Sequence, residues 1–457
     1  MMQVALQRSL AIAAGMLAIA ASATPATASS PYDAWSNGPD PSPDYFPIGV
    51  WAQRETDAVT WAAAGVNLYV GLWQGPTTQQ LDALRAAGVQ TIAAQNSVAL
   101  FYTQKLSDGR PVVVGWALED EPDNYPKTPA SAIQAQAAQW KLNDSTRPLL
   151  LNLSQGLGWD DATWVGQGGQ IDPAADYPAY LAASDIAAFD IYPSSETHAQ
   201  VRGQLWRVGL GVDRLFQYRP RQQVVWSFIE TGNVYGVTPD RRPTPAQIRA
   251  EVWMSIVHGA RGIVYFIHGK TSFSDFDDRA LLRPENAAYL SAITSLDAEL
   301  HSLARVINAE PAVGVAAMDD VVGTSPVEFT ARASPGLVHV FAVGMRDAAT
   351  RKRFQISPPA DGMVEVLGES RALPLSAGRF EDEFAGYQAH LYRVEPVPEP
   401  AEALAVGAAT GALAALRRRA SRRIPAPPRA PRCRSALGTR STGGPWFQAA
   451  RVGATSS

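Results

Sequence analysis

Glu121 and Glu230 are the residues whose setting most suggests chemistry. Each ends an apolar, β-branched run and is followed by turn-forming residues, in Gly115-Trp116-Ala117-Leu118-Glu119-Asp120-Glu121-Pro122 and Val224-Val225-Trp226-Ser227-Phe228-Ile229-Glu230-Thr231-Gly232. A buried strand that delivers an acid to the mouth of a pocket reads this way. Two such carboxyls can cleave a glycosidic bond, one protonating the leaving oxygen while the other attacks the sugar or activates water. Retention of configuration needs carboxyls ~5–5.5 Å apart, and inversion a wider gap that admits water. Two plainer alternatives stand beside this reading. Glu119-Asp120-Glu121-Pro122-Asp123 also fits a solvated acidic turn opening a helix, where carboxylates favour the dipole, and Glu230 also fits a salt-bridged strand end.

Positioning the pair requires a scaffold, and the chain supplies alternating elements. Apolar runs at Phe46–Trp51, Val66–Leu72, Val89–Ala94, Pro111–Leu118, Pro148–Leu153, Ile186–Tyr192, Gln223–Ile229 and Gly262–Ile267 predict eight strands. Helices are expected at Glu55–Ala64, Thr78–Ala87, Pro129–Asn143, Glu196–Tyr218, Thr244–Gly259 and Pro284–Val306. This pattern predicts an α/β fold, a (β/α)8 TIM barrel over residues 46–306, and the near-continuous hydrophobicity of the runs suits parallel strands buried on both faces. A doubly wound open sheet would carry a Gly-rich phosphate turn after strand one. Instead that strand runs into Trp51-Ala52-Gln53-Arg54, and neither GxGxxG nor GxxxxGK[ST] occurs. On the barrel, Glu121 falls just past strand four and Glu230 at the tip of strand seven, both on the rim where functional groups converge. From 310 to 394, short alternating runs separated by Gly, Pro and Asp predict a small antiparallel β-sandwich in a supporting role.

Composition narrows the function classes. The formal charge of the 457 residues is −4. Residues 417–457 hold ten Arg and no acid, so the preceding 416 residues carry −14. Such an acidic body is not built to bind nucleic acid, which needs clustered Lys and Arg. The single cysteine, Cys433, permits no intrachain disulfide. Six histidines without HxH or HExxH spacing predict no metal site, no cofactor motif is present, and the absence of a G-x-S-x-G elbow disfavours a serine hydrolase. Twelve tryptophans offer faces on which sugars could stack, although Trp also fills cores.

With those residues in view, Phe46 to Val306 resembles the large clan of retaining glycoside hydrolases that place the acid/base after strand four and the nucleophile on strand seven. The resemblance rests on Trp116–Pro122, Asp190-Ile191-Tyr192-Pro193, Trp226–Gly232 and Arg249–His268. It implies Glu121 as acid/base, Glu230 as nucleophile, and Tyr192 as a hydrogen-bond donor that steadies the nucleophile. One departure concerns the residue before the acid/base, which is Asp120 where most of the clan has Asn. Trp51, Asn96, Trp116, Asn152, Asp190, Trp226 and His268, with Asp120, are the candidates for substrate contact, each with a packing or turn-forming alternative. The expected partner is a β-linked poly- or oligosaccharide. A carbohydrate-binding barrel without catalysis is the alternative, motivated by Asp120.

The termini read as address labels. Arg8, the apolar stretch Leu10–Ala21 and Ala26-Thr27-Ala28 form a signal peptide over 1–28; the apolar stretch is shorter than the ~20 residues of a membrane span. A lead segment, 29–45, precedes the barrel. Glu395-Pro396-Val397-Pro398-Glu399-Pro400, the apolar run Ala401–Leu416 and Arg417-Arg418-Arg419 resemble the PEP-CTERM sorting signal of Gram-negative bacteria. That resemblance implies export to the envelope, transient membrane insertion of 395–423, and processing by a sorting protease. Residues 424–457 have the Pro/Arg/Gly/Ser-rich composition of a disordered basic tail.

Overall fold

The computed structural model describes residues 30–124, 127–159, 172–272 and 275–395. The expected signal peptide, the sorting segment beyond 395 and the basic tail lie outside the described residues. No helix among the described residues is long and apolar enough to cross a membrane.

A parallel sheet surrounded by helices forms the larger part. Its strands are β1 (Ile48–Gln53), β2 (Leu68–Leu72), β3 (Gln90–Ala93), β4 (Val113–Ala117), β5 (Leu149–Leu153), β6 (Ile186–Phe189), β7 (Val224–Val225), β8 (Ser227–Glu230) and β9 (Ile263–Phe266). They pair in the order β7-β6-β5-β4-β3-β2-β1-β9-β8. The two outermost strands are halves of one strand, broken at Trp226. The Trp226 N–H donates to Ala187 O at 2.9 Å, and the Ser227 N–H to Gly262 O at 3.2 Å. One chain segment thus pairs to both sides, the sheet closes, and the expected eight-strand barrel results.

The flanking helices are α1 (Ala58–Ala63), α2 (Thr78–Ala87), α3 (Ser97–Leu100), α4 (Ala130–Asn143), α5 (Pro173–Leu181), α6 (Arg207–Tyr218), α7 (Pro245–Val257) and α8 (Ala287–Asn308). Local chemistry starts several of them. Thr77 with Gln80, and Thr244 with Gln247, form reciprocal capping boxes, and Pro245 occupies the first turn of α7. The helix expected over Glu196–Tyr218 begins only at Arg207. The Glu196 carboxylate accepts the N–H groups of Thr197 and His198 at 2.6 and 2.9 Å, which closes a local turn in place of a helical one.

Alternation along the strands divides the apolar side chains into two layers. Leu68, Val70, Ile92, Val114, Leu150, Ile186, Ala188, Phe228 and Val264 fill the barrel interior, while Trp116, Leu151, Phe189, Ile229 and Tyr265 face the helices. The lead segment stops the base of the barrel. Tyr32 is buried there against Trp226; its hydroxyl accepts the indole N–H at 2.9 Å and donates to Arg261 O at 2.8 Å.

A hairpin, β10 (Gly269–Ser272) with β11 (Asp275–Asp277), follows the barrel's last strand. Beyond α8 lies an antiparallel β-domain. Its strands are β12 (Ala316–Val322), β13 (Val327–Ser334), β14 (Leu337–Gly344), β15 (Thr350–Ile356), β16 (Gly362–Val366), β17 (Arg371–Leu375), β18 (Arg379–Phe384) and β19 (Ala389–Glu395). They form one sheet in the order β12-β15-β18 and another in the order β13-β14-β19-β16-β17. Successive residues of β14 serve two cores. Val338, Val340 and Ala342 join the domain's own apolar cluster, and Phe341 and Val343 join the barrel's. Trp253 of α7 meets Phe341 across that junction at 4.9 Å and donates its indole N–H to Glu299 at 3.1 Å. Trp253→Ala removes a fully buried side chain from the barrel's core at its junction with β14 and is expected to cost about 3–5 kcal/mol of stability. Urea denaturation of parent and variant measures the difference.

Candidate active site

The C-terminal ends of β4, β5, β6 and β8 bring together most of the carboxyls expected at the rim. After β4 the chain turns sharply through Asp120, Glu121 and Pro122. Glu121 has φ +44°, a left-handed backbone unusual for a side chain of this size. The conformation is held by its N–H, which donates to Asn152 O at 3.0 Å, and by its C=O, which accepts from Asn124 N–H at 2.9 Å. Strained positions of this kind persist where surrounding structure fixes them, and they cluster at functional sites. Asp123 anchors the same turn: its fully buried carboxylate accepts both the N–H and the hydroxyl of Ser154 at 2.8 Å. Burial pushes Asp123 up to about 7 against those two donors.

Glu121 is half-buried and accepts a hydrogen bond from Asn124 Nδ2 at 2.8 Å. Its carboxyl also lies within hydrogen-bonding reach of Asp190, which follows β6 directly. Asp190 is buried; burial, and then the charges of Glu121 and Asp120, hold it well above the ordinary carboxylate range. Asp120 accepts from Asn152 Nδ2 at 3.1 Å. Crowding by protein, and then Glu121, push the Asp120 carboxyl upward. Its side chain also opens to solvent at the mouth, and water screens that push.

Glu230 occupies the tip of β8, the position anticipated from the sequence, but it is fully buried. The loop after β6 covers it. Ser194 N–H donates at 2.5 Å to one carboxyl oxygen; Ser195 N–H and Oγ donate at 3.3 and 3.0 Å to the other. Burial pushes Glu230 up to about 7, with the serine donors opposing. Beneath it, Glu251 of α7 reaches the Glu230 carboxyl; burial, and then Glu230, hold Glu251 well above its ordinary range. Neither Glu251 oxygen receives a hydrogen bond from the described residues.

Other anticipated site residues are placed differently. Tyr192 donates its hydroxyl to Asp190 at 2.5 Å, not to Glu230, because the Ser194–Ser195 segment already takes both oxygens of Glu230. Trp116 points away from the mouth. The register of β4 slips at Gly115, and the ring packs among the helix-facing side chains with its N–H on Asp144 at 3.1 Å. Trp226 is sealed in the barrel interior against Tyr32. Asn96 caps α3, accepting from Ala99 N–H at 2.9 Å and donating to Pro76 O at 2.8 Å. His268 is buried, stacked on Phe266 at 4.9 Å, with Nε2 3.0 Å from Trp51 O and 3.1 Å from Gln53 Nε2; burial lowers its pKa. Trp51 is half-buried and bridges the interior cluster to an aromatic cluster of Tyr192, Phe266, Val234 and Tyr235 at the mouth. Asn152 and Asp190 are at the mouth, beside Asp120 and Glu121.

Sequence reasoning passed over Asp123, Ser194, Ser195 and Glu251. Glu251 carried a readable signal: a lone acid beside Val252-Trp253-Met254 on a helix has no solvated face to occupy. The serines follow the sixth strand directly, where rim loops begin. Between β5 and α5, residues 160–171 lie outside the described residues. No group of three or more His, Cys, Asp or Glu among the described residues is disposed to hold a metal ion.

No family model matches the chain, and no curated protein matches its sequence. Among solved structures it is similar to an α-amylase from Geobacillus thermoleovorans complexed with acarbose, at 13% identity and TM-score 0.45, over 77% of this chain and 98% of that one. It is similar to a glycoside hydrolase family 5 protein from Bacteroides vulgatus, at 12% and 0.46, over 77% and 89%. A third is a glycoside hydrolase family 30 subfamily 8 xylanase from Clostridium acetobutylicum, at 14% and 0.42, over 77% and 95%. Likeness at these levels carries no argument about activity; the chemistry of the mouth must supply it.

Proposed function

We propose that this chain is an exported glycoside hydrolase of the cell envelope that cleaves β-linked poly- or oligosaccharide. The observation that carries the reading is the convergence of Asp120, Glu121, Asn152 and Asp190 from three strand ends, with an aromatic wall of Trp51 and Tyr192 beside them. In the mechanism, Glu121 protonates the leaving oxygen and then activates water, while Glu230 attacks the anomeric carbon in a double displacement. Glu230 reaches a sugar only when the Ser194–Ser195 segment releases one of its oxygens. The C-terminal β-domain is read as a sandwich that braces α7, the helix bearing Glu251. Export by the N-terminal signal and C-terminal sorting at the envelope complete the proposal.

One observation favours a second assignment on the same barrel. Burial holds Asp190 well above the ordinary carboxylate range beside Glu121, and a carboxyl raised in this way is suited to acid work. Asp190 would then be the acid and Glu121 its partner. Glu230→Gln and Asp190→Asn separate the two. Double displacement through Glu230 predicts a loss in kcat of about 10³-fold or more for Glu230→Gln and first release of the retained anomer by NMR. Full activity in Glu230→Gln with loss in Asp190→Asn transfers the role. Glycan binding with no turnover of any polysaccharide across a broad panel would leave a carbohydrate-binding barrel.

A further inference from the structure

The mouth is unbalanced in its hydrogen-bonding inventory. Each of its amide and hydroxyl donors already gives one bond to a carboxyl: Asn152 Nδ2 to Asp120, Tyr192 OH to Asp190, and Asn124 Nδ2 to Glu121. Two of its acceptors receive none. Asn152 and Asp190 are only 3% and 4% exposed, yet Asn152 Oδ1 and Asp190 Oδ1 receive no hydrogen bond from any described residue. Both side chains are aimed into the group, Asn152 through its bond to Asp120 and Asp190 through its contact with Glu121. Buried acceptors left without donors are costly, and a ligand that supplies donors recovers that cost.

Charge points the same way. The principal influences on Asp120, Asp190 and Glu230 include other carboxyls and neighbouring amides or hydroxyls, and no Lys or Arg. The acidic side chains of the described residues are not disposed as a metal cage. Aromatic rings of Trp51, Tyr192 and Tyr235 stand beside the carboxyls, and such rings hold an organic cation through their faces.

We infer that the glycan taken by this mouth is cationic, built from a hexosamine with a free amino group seated among Asp120, Asn152 and Asp190. The inference rests on the glycoside hydrolase reading and names its substrate class. An ammonium group offers three donors and a positive charge and accepts nothing, which is the complement of vacant acceptors beside carboxylates. A neutral hydroxyl fills the acceptors without answering the charge. An N-acetyl group brings a carbonyl oxygen against acceptors that have no donor for it, and unpaired polar groups of that kind discriminate strongly. The −14 carried by residues 1–416 also attracts a polycationic polymer at a distance.

The test uses three probes: glucosamine tetrasaccharide in β-1,4 linkage, its fully N-acetylated counterpart, and cellotetraose. Binding is measured by calorimetry on Glu230→Gln, which keeps the mouth's acidic groups, and cleavage is measured on the parent. The free-amine probe is expected to bind at least ~10-fold tighter than either other probe, with the advantage shrinking as salt is raised. Asp120→Asn, a change at a solvent-open side chain, is expected to weaken that probe alone by about 5- to 10-fold. Binding of cellotetraose as tight as the free-amine probe at low salt, or no effect of Asp120→Asn, overturns the inference. Cleavage of neutral glycans without binding of the free-amine probe overturns it while the hydrolase reading stands. Selective binding of the free-amine probe with no glycan cleaved at all sinks the hydrolase reading and leaves a receptor for amino sugars.

Discussion

Glu121→Gln is expected to lower kcat by about 10²- to 10⁴-fold on any glycan the parent cleaves, the range for loss of a general acid/base. Gln keeps the length and shape of the side chain, and the backbone bonds that hold the left-handed turn, to Asn152 O and from Asn124 N–H, do not involve the carboxyl. Folding should therefore survive, and circular dichroism and melting temperature serve as the control. KM should change far less than kcat, because the group works on the leaving oxygen and not on remote sugar contacts. The substitution also removes the charge that helps hold Asp190 above its ordinary range. Carbon-detected NMR of Asp190 should then show its titration moving down. An unchanged kcat with that titration shift present would assign Glu121 an electrostatic role and leave Asp190 as the reacting acid.

The second large effect is on stability against pH, and its sign is set by burial. Glu230 titrates near 4.5 when unfolded and is pushed up to about 7 in the fold, and burial holds Glu251 well above its ordinary range too. Between those values the folded protein retains protons that the unfolded chain releases, so the stabilising contribution is fully present below about pH 4.5 and is lost as pH rises through 7. Glu230 alone shifts stability by roughly 3 kcal/mol across that window, at ~1.4 kcal/mol per pH unit. The protein should accordingly melt several degrees lower at pH 8 than at pH 5. Glu251→Gln takes one of two mutually repelling acids out of the interior. It should flatten the dependence and raise the melting temperature at pH 8 relative to the parent. Thermal melts at half-unit intervals from pH 5 to 8 measure both, and a melting temperature that rises steadily from pH 5 to pH 8 would show that these carboxyls ionise freely in the fold.

The barrel was legible because each strand is an apolar run bounded by turn residues, a pattern that needs no partner to be read. β5, with Leu149-Leu150-Leu151-Asn152-Leu153, and β9, with Ile263-Val264-Tyr265-Phe266, are of this kind. The carboxyls at strand ends were legible for the same reason, since β4, β6 and β8 deliver Glu121, Asp190 and Glu230 to one end. Side-chain facing was less so. Trp116 faces the helices because the β3–β4 register slips at Gly115, and a slip of one residue exchanges inside for outside. Contacts across long separations were invisible: Ser194 over Glu230, Glu251 under it, and Tyr32 against Trp226, 194 residues apart, leave no local mark in the chain.

That last contact sets a practical limit on where the mature chain can begin. Tyr32 closes the foot of the barrel through a single ring and hydroxyl, and cleavage after Ala28, as the signal reading expects, leaves it as the fourth residue. Trimming that stops at Ser30 preserves the seal. Trimming to Trp35 opens a hole of one tyrosine beneath Trp226, strips the indole N–H of its acceptor, and admits water to a layer of side chains that is otherwise dry. The lead segment and the barrel are therefore coupled at their seam: a chain that began beyond Tyr32 would fold, if at all, as a leaking barrel, whatever its catalytic groups.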